Sequence, residues 1–445
     1  MPYGLLGYKQ RLWFLLFHIL LGLISTISPW FLSIWIWISI VRSVLFLYKL
    51  NRGNITFALF PLAYVSGLEI AARVANTSPQ VPYEFAKYFF LLYLILSILK
   101  FNISKSNLGL ILVCLLLPSV FLIPIDNFIV YFVNSFLGIF LLALMAFVWI
   151  KKQINSEVLL QVFYYYLVGL VALLTQVVAK ASNLDEIEYS LGANFETAGG
   201  FGSNQVSTQL GIGFFLLALV WLLGWTIIKE KKVAFILMLG FLFRAILTFS
   251  RGGVLGPLTA IAVAYIIPKS GIGLKKLNLG YLITIAGIII FVFLYADSIT
   301  GSLLSKRYQG HTAGTLGGTR ELDLNVLTSR RSSLMETEWQ IFKENPVLGV
   351  GPGAGYEARE KIIGIKIASH TEASRLLAEH GVLGLIVASI FLFFPLYHIF
   401  SHSNALSRFL SSAFFILAIF TSFHAAMRTT VTPFFWGLAC MRYIR

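Results

Sequence analysis

Apolar positions in this chain fall in long runs and not in alternation. Stretches of roughly 17 to 22 apolar residues recur from one end to the other, each long enough to cross the ~30 Å hydrocarbon layer of a bilayer as a helix. The pattern predicts spans near residues 13–28, 30–48, 56–72, 85–99, 107–124, 128–150, 158–178, 207–228, 232–249, 253–268, 279–297, 381–398, 409–427 and 431–442. Within lipid every backbone group must be bonded inside the protein, so only helices and closed barrels qualify, and the period-2 pattern of a barrel strand is missing. The expected class is all-α and polytopic, with about 12–14 transmembrane helices.

Polar residues between the runs set the orientation. If Lys9 and Arg11 lie in the cytoplasm, alternation places Lys49 and Arg52, Lys100 and Lys105, Lys151 and Lys152, the "KEKK" of 229–232, Lys275 and Lys276, Arg408, and Arg442 with Arg445 on that same side. The opposite side receives the loop 179–206, the turn at 250–253 and the loop 298–380. The last is about 80 residues long in a chain of otherwise short connections, and long ordered loops usually carry function. Two regions are expected: N-terminal transmembrane helices over 1–195, and a second region, 196–445, that includes the long loop.

Composition agrees. With 58% hydrophobic residues, 12% charged residues and a mean hydropathy of +0.83, one soluble core cannot hide the apolar surface. The formal charge of +15 comes in short clusters and forms no single patch or arm, so it reads as topology and not as nucleic-acid binding. Cys114 and Cys440 sit far apart in apolar stretches, without redox or metal spacing, and are expected to be small core residues. The first apolar run lacks a small-residue cleavage site and is expected to be a retained helix.

Four stretches could carry chemistry. "LTFSRGGVLG", 247–256, puts Arg251 at the mouth of a helix pair, and Arg244, seven residues back, is expected on the same helix face inside an apolar run. A guanidinium there is costly unless it meets an anion or lines a polar cavity, and its fork matches phosphate oxygens; simple snorkelling is the alternative. "TSRRSSLMETEWQIFKENPVLGVGPGAGY", 328–356, places Arg330 and Arg331 before an amphipathic helix of about 13 residues, followed by Gly349, Gly351, Gly353 and Gly355. Such glycines let backbone N–H groups approach a sugar or phosphate, although a plain turn explains them almost as well. "TAGGFGSNQVST", 197–208, offers the amides of Asn204 and Gln205 as hydroxyl ligands or helix caps.

The fourth stretch is "ASHTEASRLLAEHGVLGL", 368–385. Ser369 with Glu372 three residues on reads as a capping box, which starts a helix with His370 in its first turn. There the helix dipole disfavours imidazolium, so a neutral ring can act as a base; an interfacial histidine without a chemical task is the alternative. Glu372, Arg375 and Glu379 share another face and read as structural. His18, His311, His380, His398, His402 and His424 are scattered, and no metal site is expected.

Taken in order, "GFGSNQ", "SRGGVL", Arg331 ahead of "NPVLGVGPG", and "SHTEASRLLAEHGVLGL" resemble the O-antigen ligase and polymerase superfamily. The resemblance implies a GT-C-like helical membrane fold with a periplasmic lobe between two late helices. It implies a metal-independent, inverting glycosyltransferase of the bacterial inner membrane, without cofactor, that moves a saccharide from undecaprenyl diphosphate to a hydroxyl acceptor on the periplasmic side. The acceptor is a growing surface polysaccharide in a polymerase, lipid A core in a ligase, or protein in another relative; the polymerase is the preferred reading. By position His370, Arg331 and Arg251 take the catalytic roles, with Arg330 a register-shifted substitute for Arg331. Arg244, Asn204, Gly351 and Gly353 are candidates for donor or acceptor binding. Serine at 203 departs from the proline common in the family's Asn-Pro-Asn-like element. A chain-length regulator is a possible partner, and a non-enzymatic transporter of the same lipid-linked sugar is the rival from another class.

Overall fold

The computed structural model describes residues 3–101, 107–267, 279–317, 328, 331–369, 371–425 and 427–444. Helices account for most of it. In chain order they are α1 (Tyr8–Ile27), α2 (Pro29–Lys49), α3 (Leu59–Val74), α4 (Phe85–Phe101), α5 (Asn107–Val120), α6 (Phe128–Tyr131) and α7 (Leu137–Trp149), the last two joined by a π turn. They continue as α8 (Ser156–Lys180), α9 (Ser203–Leu222), α10 (Lys231–Leu247), α11 (Arg251–Ile266) and α12 (Leu279–Ile299). A lobe follows with α13 (Leu303–Tyr308), α14 (Ala313–Leu316), α15 (Arg331–Glu344) and α16 (Gly355–Ile363), before α17 (Glu372–Ser401), α18 (Ala405–Ala425) and α19 (Val431–Ala439) close the bundle.

Each predicted span meets a helix. Among the described residues nine helical segments are long and apolar enough to cross a bilayer, and α5 and α11 are shorter apolar helices. The protein is a multi-pass, all-α membrane protein. Local chemistry explains several boundaries: Pro29 opens α2, where its missing N–H costs nothing, and the Asn155 side chain caps α8 by accepting from Val158 N at 2.8 Å.

Small residues set the tight crossings in the centre. A Cβ on Gly67 of α3 would lie 2.3 Å from the Tyr166 carbonyl oxygen of α8, and one on Gly22 of α1 would lie 2.6 Å from that of Ala172. Backbones approach this closely only where side chains are absent, which is how helices gain packing energy in lipid. Cys440 is buried as expected, but Cys114 is exposed on α5, because its face of that helix points away from the bundle. The chain end also holds a short parallel ladder, in which Gln153–Asn155 pairs with Arg442–Ile444.

Buried charge is fully paired at the ends of α3 and α4. Arg73 donates to Glu69 at 2.8 Å and Glu84 at 3.2 Å, and Lys87 meets Glu84 at 3.1 Å. Glu69 in turn accepts from the Thr430 backbone at 2.9 Å and its hydroxyl at 2.8 Å. Two carboxylates facing two cations make this burial tolerable.

Candidate functional site

Arg251 owes its position to a broken helix. α10 stops at Leu247, Phe249 adopts a left-handed φ of +56°, and α11 begins at Arg251 itself. The two glycines that follow are steric requirements. A Cβ on Gly252 would lie 2.2 Å from His424 Nδ1, and one on Gly253 would lie 2.0 Å from Ser207 Oγ. "SRGG" is thus the shape that lets α11 press against α9 and the end of α18.

His424 links that turn to the lobe. Arg331, the first residue of α15, donates from Nη2 to His424 Nδ1 at 3.3 Å. A guanidinium has only donors, so Nδ1 must be unprotonated and Nε2 carries the ring hydrogen. Nε2 lies 3.0 Å from Ser250 Oγ, whose own proton goes to Asn204 Oδ1 at 2.7 Å. One hydrogen-bond chain of fixed polarity therefore runs from Arg331 through His424 and Ser250 to Asn204.

A third arginine joins Arg251 and Arg331. Burial lowers the proton affinity of Arg307 on α13, and the charges of Arg251 and Arg331 lower it further. Arg331 is lowered in the same way, by burial first and then by Arg251. The half-buried phenol of Tyr308 lies near Arg251, and burial raises its pKa, so it stays protonated. The Nε atoms of Arg307 and Arg331 are buried and carry no hydrogen bond. The three guanidiniums lie close enough to act on one another's charge, and an anion with several oxygens would satisfy the buried, unbonded Nε donors of Arg307 and Arg331.

Residues 427–430, after α18, hold the surroundings in register. Met427 N donates to Glu372 at 3.1 Å, Arg428 donates to the Ser369 carbonyl at 2.9 Å, and Thr430 N donates to Glu69 at 2.9 Å. Position 370 itself, like Arg330, lies outside the described residues. Its neighbours are fixed on both sides, by Arg428 at Ser369 and by Met427 at Glu372.

Three expectations change. The capping box does not form: Thr371 is the N-cap of α17, Ser369 Oγ bonds to Thr371, and Glu372 bonds forward to Arg375 at 2.5 Å, because that buried guanidinium outcompetes a backbone N–H. Arg244 shares no helix face with Arg251, since α10 ends between them. It is buried and donates to the Ala181 carbonyl at the end of α8, at 2.9 Å. The glycine run is packed instead of open: Gly351 N bonds to the Glu379 carbonyl at 3.0 Å, and Cβ atoms on Gly351 and Gly353 would strike Leu122 at 2.8 Å and the Tyr131 ring at 2.5 Å.

Sequence reasoning missed Arg307, Ser250 and His424. The available signal was "HAAMRTT", 424–430, where a histidine, an arginine and two threonines interrupt two apolar runs.

Residues 233–389 match the family model described as O-antigen ligase. That region, about a third of the chain, is similar to the O-antigen ligase family. The match takes in Arg251, Arg307 and Arg331 as well as position 370, while Asn204 and His424 lie outside it, on α9 and α18. No curated protein matches the chain.

Proposed function

We propose that this protein transfers a saccharide from a polyprenyl diphosphate donor, of the undecaprenyl type, to a hydroxyl acceptor at the periplasmic face of the inner membrane. The observation that carries the reading is the convergence of Arg251, Arg307 and Arg331, with buried, unbonded Nε donors on the last two. A diphosphate leaving group takes up negative charge as the glycosidic C–O bond breaks, and fixed guanidiniums stabilise that charge in the transition state, the place a divalent cation holds elsewhere. The reaction is metal-independent on this reading.

His370 is the general base. Its ring takes the proton from the acceptor hydroxyl as that oxygen attacks the anomeric carbon, and the diphosphate departs with the C–O electron pair. Attack from the face opposite the leaving group inverts the anomeric configuration. Such a base contributes roughly 10² to 10⁴ in rate. The acceptor is a growing polysaccharide made of the same repeat units; the description of the matched family favours the ligase as second reading, with lipid A core as acceptor. A chain-length regulator is a partner only on the polymerase reading.

Inorganic pyrophosphate titrated into the purified protein tests the arginine assignment. Saturable binding that Arg307→Ala and Arg331→Ala abolish is the expected result. Undiminished binding in both variants would remove the basis of the reading.

A further inference from the structure

A second cleft opens where α8 ends. Lys180, Asn183, Glu186, Phe195, Glu196 and Gly200 are among the lining residues of this open cleft, whose volume is about 740 Å³, within the roughly 300–1,000 Å³ typical of small-ligand sites. We propose that this cleft binds the glycan on which the protein acts, a polyhydroxylated saccharide, beside the arginine cluster. The proposal rests on the glycan-transfer reading above.

Three features point to sugar. First, Phe195 is 60% exposed, yet it does not stand on a loose loop. Its carbonyl accepts from Ala198 N at 3.2 Å and Gly200 N at 3.1 Å, Asn194 Oδ1 accepts from Thr197 N at 2.9 Å, and Gly199 and Gly200 close the turn at φ of +71° and +78°. A flat apolar ring held out on a rigid turn is a stacking platform, presented at low entropic cost. Second, polar groups suited to hydroxyls surround the ring: the exposed carboxylates of Glu186 and Glu196 and the amide of Asn183. Carboxylates in the same cleft argue against a ring dipping into lipid.

Third, charge sorts the ligand. The Lys180 ammonium donates to the Val74 carbonyl at 2.5 Å, so the lining carries two carboxylates and a cation already engaged. An anionic headgroup is disfavoured here, while the three arginines attract one. The turn that carries Phe195 and Glu196 is tied to the segment before Arg251: Asn194 N donates to the Thr248 carbonyl at 2.9 Å and Thr197 Oγ1 to that of Leu247 at 2.6 Å, three and four residues before Arg251. Arg244 donates to Ala181, a lining residue, from the helix that ends at the same turn. Diphosphate at the arginines and sugar in the cleft divide one substrate class between adjacent surfaces.

The test uses the purified full chain in nanodiscs with three probes: inorganic pyrophosphate, the oligosaccharide freed by mild acid from the host's lipid-linked donor, and the oligosaccharide freed from its glycolipid acceptor. Wild-type protein should bind pyrophosphate and at least one oligosaccharide, and which one binds identifies the source of the glycan. Phe195→Ala and Glu196→Ala should weaken oligosaccharide binding at least tenfold and leave pyrophosphate binding unchanged. Phe195→Tyr should restore it, which a structural role for the turn would not require. Binding of pyrophosphate alone, or oligosaccharide binding indifferent to both alanine variants, overturns the cleft and leaves the arginine reading standing. Failure of pyrophosphate to bind, with oligosaccharide binding lost in Phe195→Ala, sinks the arginine reading and supports the cleft.

Discussion

Arg331 Nη2 donates to His424 Nδ1 at 3.3 Å across 93 positions of sequence, joining the lobe to the last long helix. The contact makes His424 a positioning residue. Its ring orients one of the three guanidiniums that the proposed reaction sets against the diphosphate, and fixes the hydrogen-bond direction through Ser250 to Asn204. His424→Ala should lower transfer while leaving insertion intact, and His424→Asn, which keeps an acceptor near the guanidinium, should recover part of it. Donor titrations in reconstituted vesicles check this, and the split between KM and kcat distinguishes lost orientation from a lost fold.

Single alanines at the arginines should be far more damaging. Removing one preorganised charge donor costs about 10²- to 10³-fold in rate in comparable sites. Arg251→Ala, Arg307→Ala and Arg331→Ala should each fall in that range. Arg244→Ala should instead act on stability, since its guanidinium is spent on the Ala181 carbonyl. Initial rates beside melting temperatures separate the two classes.

Gly252→Ala tests the steric argument. The new methyl would lie 2.2 Å from His424 Nδ1, at the end of a short ring anchored in α18. Overpacking of this kind costs about 1–3 kcal/mol, and displacement of the ring should lower activity more than Tm. Gly252→Ser should behave no better.

Most of the helix layout was legible because lipid imposes one rule, long apolar runs, and the chain follows it from α1 to α18. Arg251 and Arg331 were legible because each sits in a motif whose glycines or helix start mark it. Arg307 and His424 were not. Arg307 lies on α13, six residues long and too short to show a hydrophobic period, and His424 lies at the end of a helix that looks like any other span. Contact between residues 93 apart depends on how α15 folds back onto α18, which no local pattern encodes. The capping box failed for a related reason: Glu372 had a better partner in buried Arg375 than in a backbone N–H.

The lobe should hinge on one ion pair. Arg359 Nη1 meets Glu338 Oε1 at 2.7 Å with both side chains fully buried, and Ser374 Oγ donates to Glu338 Oε2 at 2.5 Å, so α15, α16 and α17 meet at one carboxylate. Glu338→Ala strands the guanidinium, a loss of about 3–5 kcal/mol. Limited proteolysis should cut residues 331–363 faster in this variant, with Glu338→Gln intermediate. Equal cleavage rates in all three proteins would show that the lobe is held by other contacts.

The most direct measurement places the purified protein in liposomes with one lipid-linked repeat unit as both donor and acceptor, and separates products on a gel beside Arg251→Ala, Arg331→Ala and His370→Ala. The account predicts a glycan ladder from wild type that all three substitutions abolish, or a single product appearing only when lipid A core is added if the acceptor is that of a ligase. Transfer at the wild-type rate from correctly inserted Arg251→Ala and Arg331→Ala would contradict it.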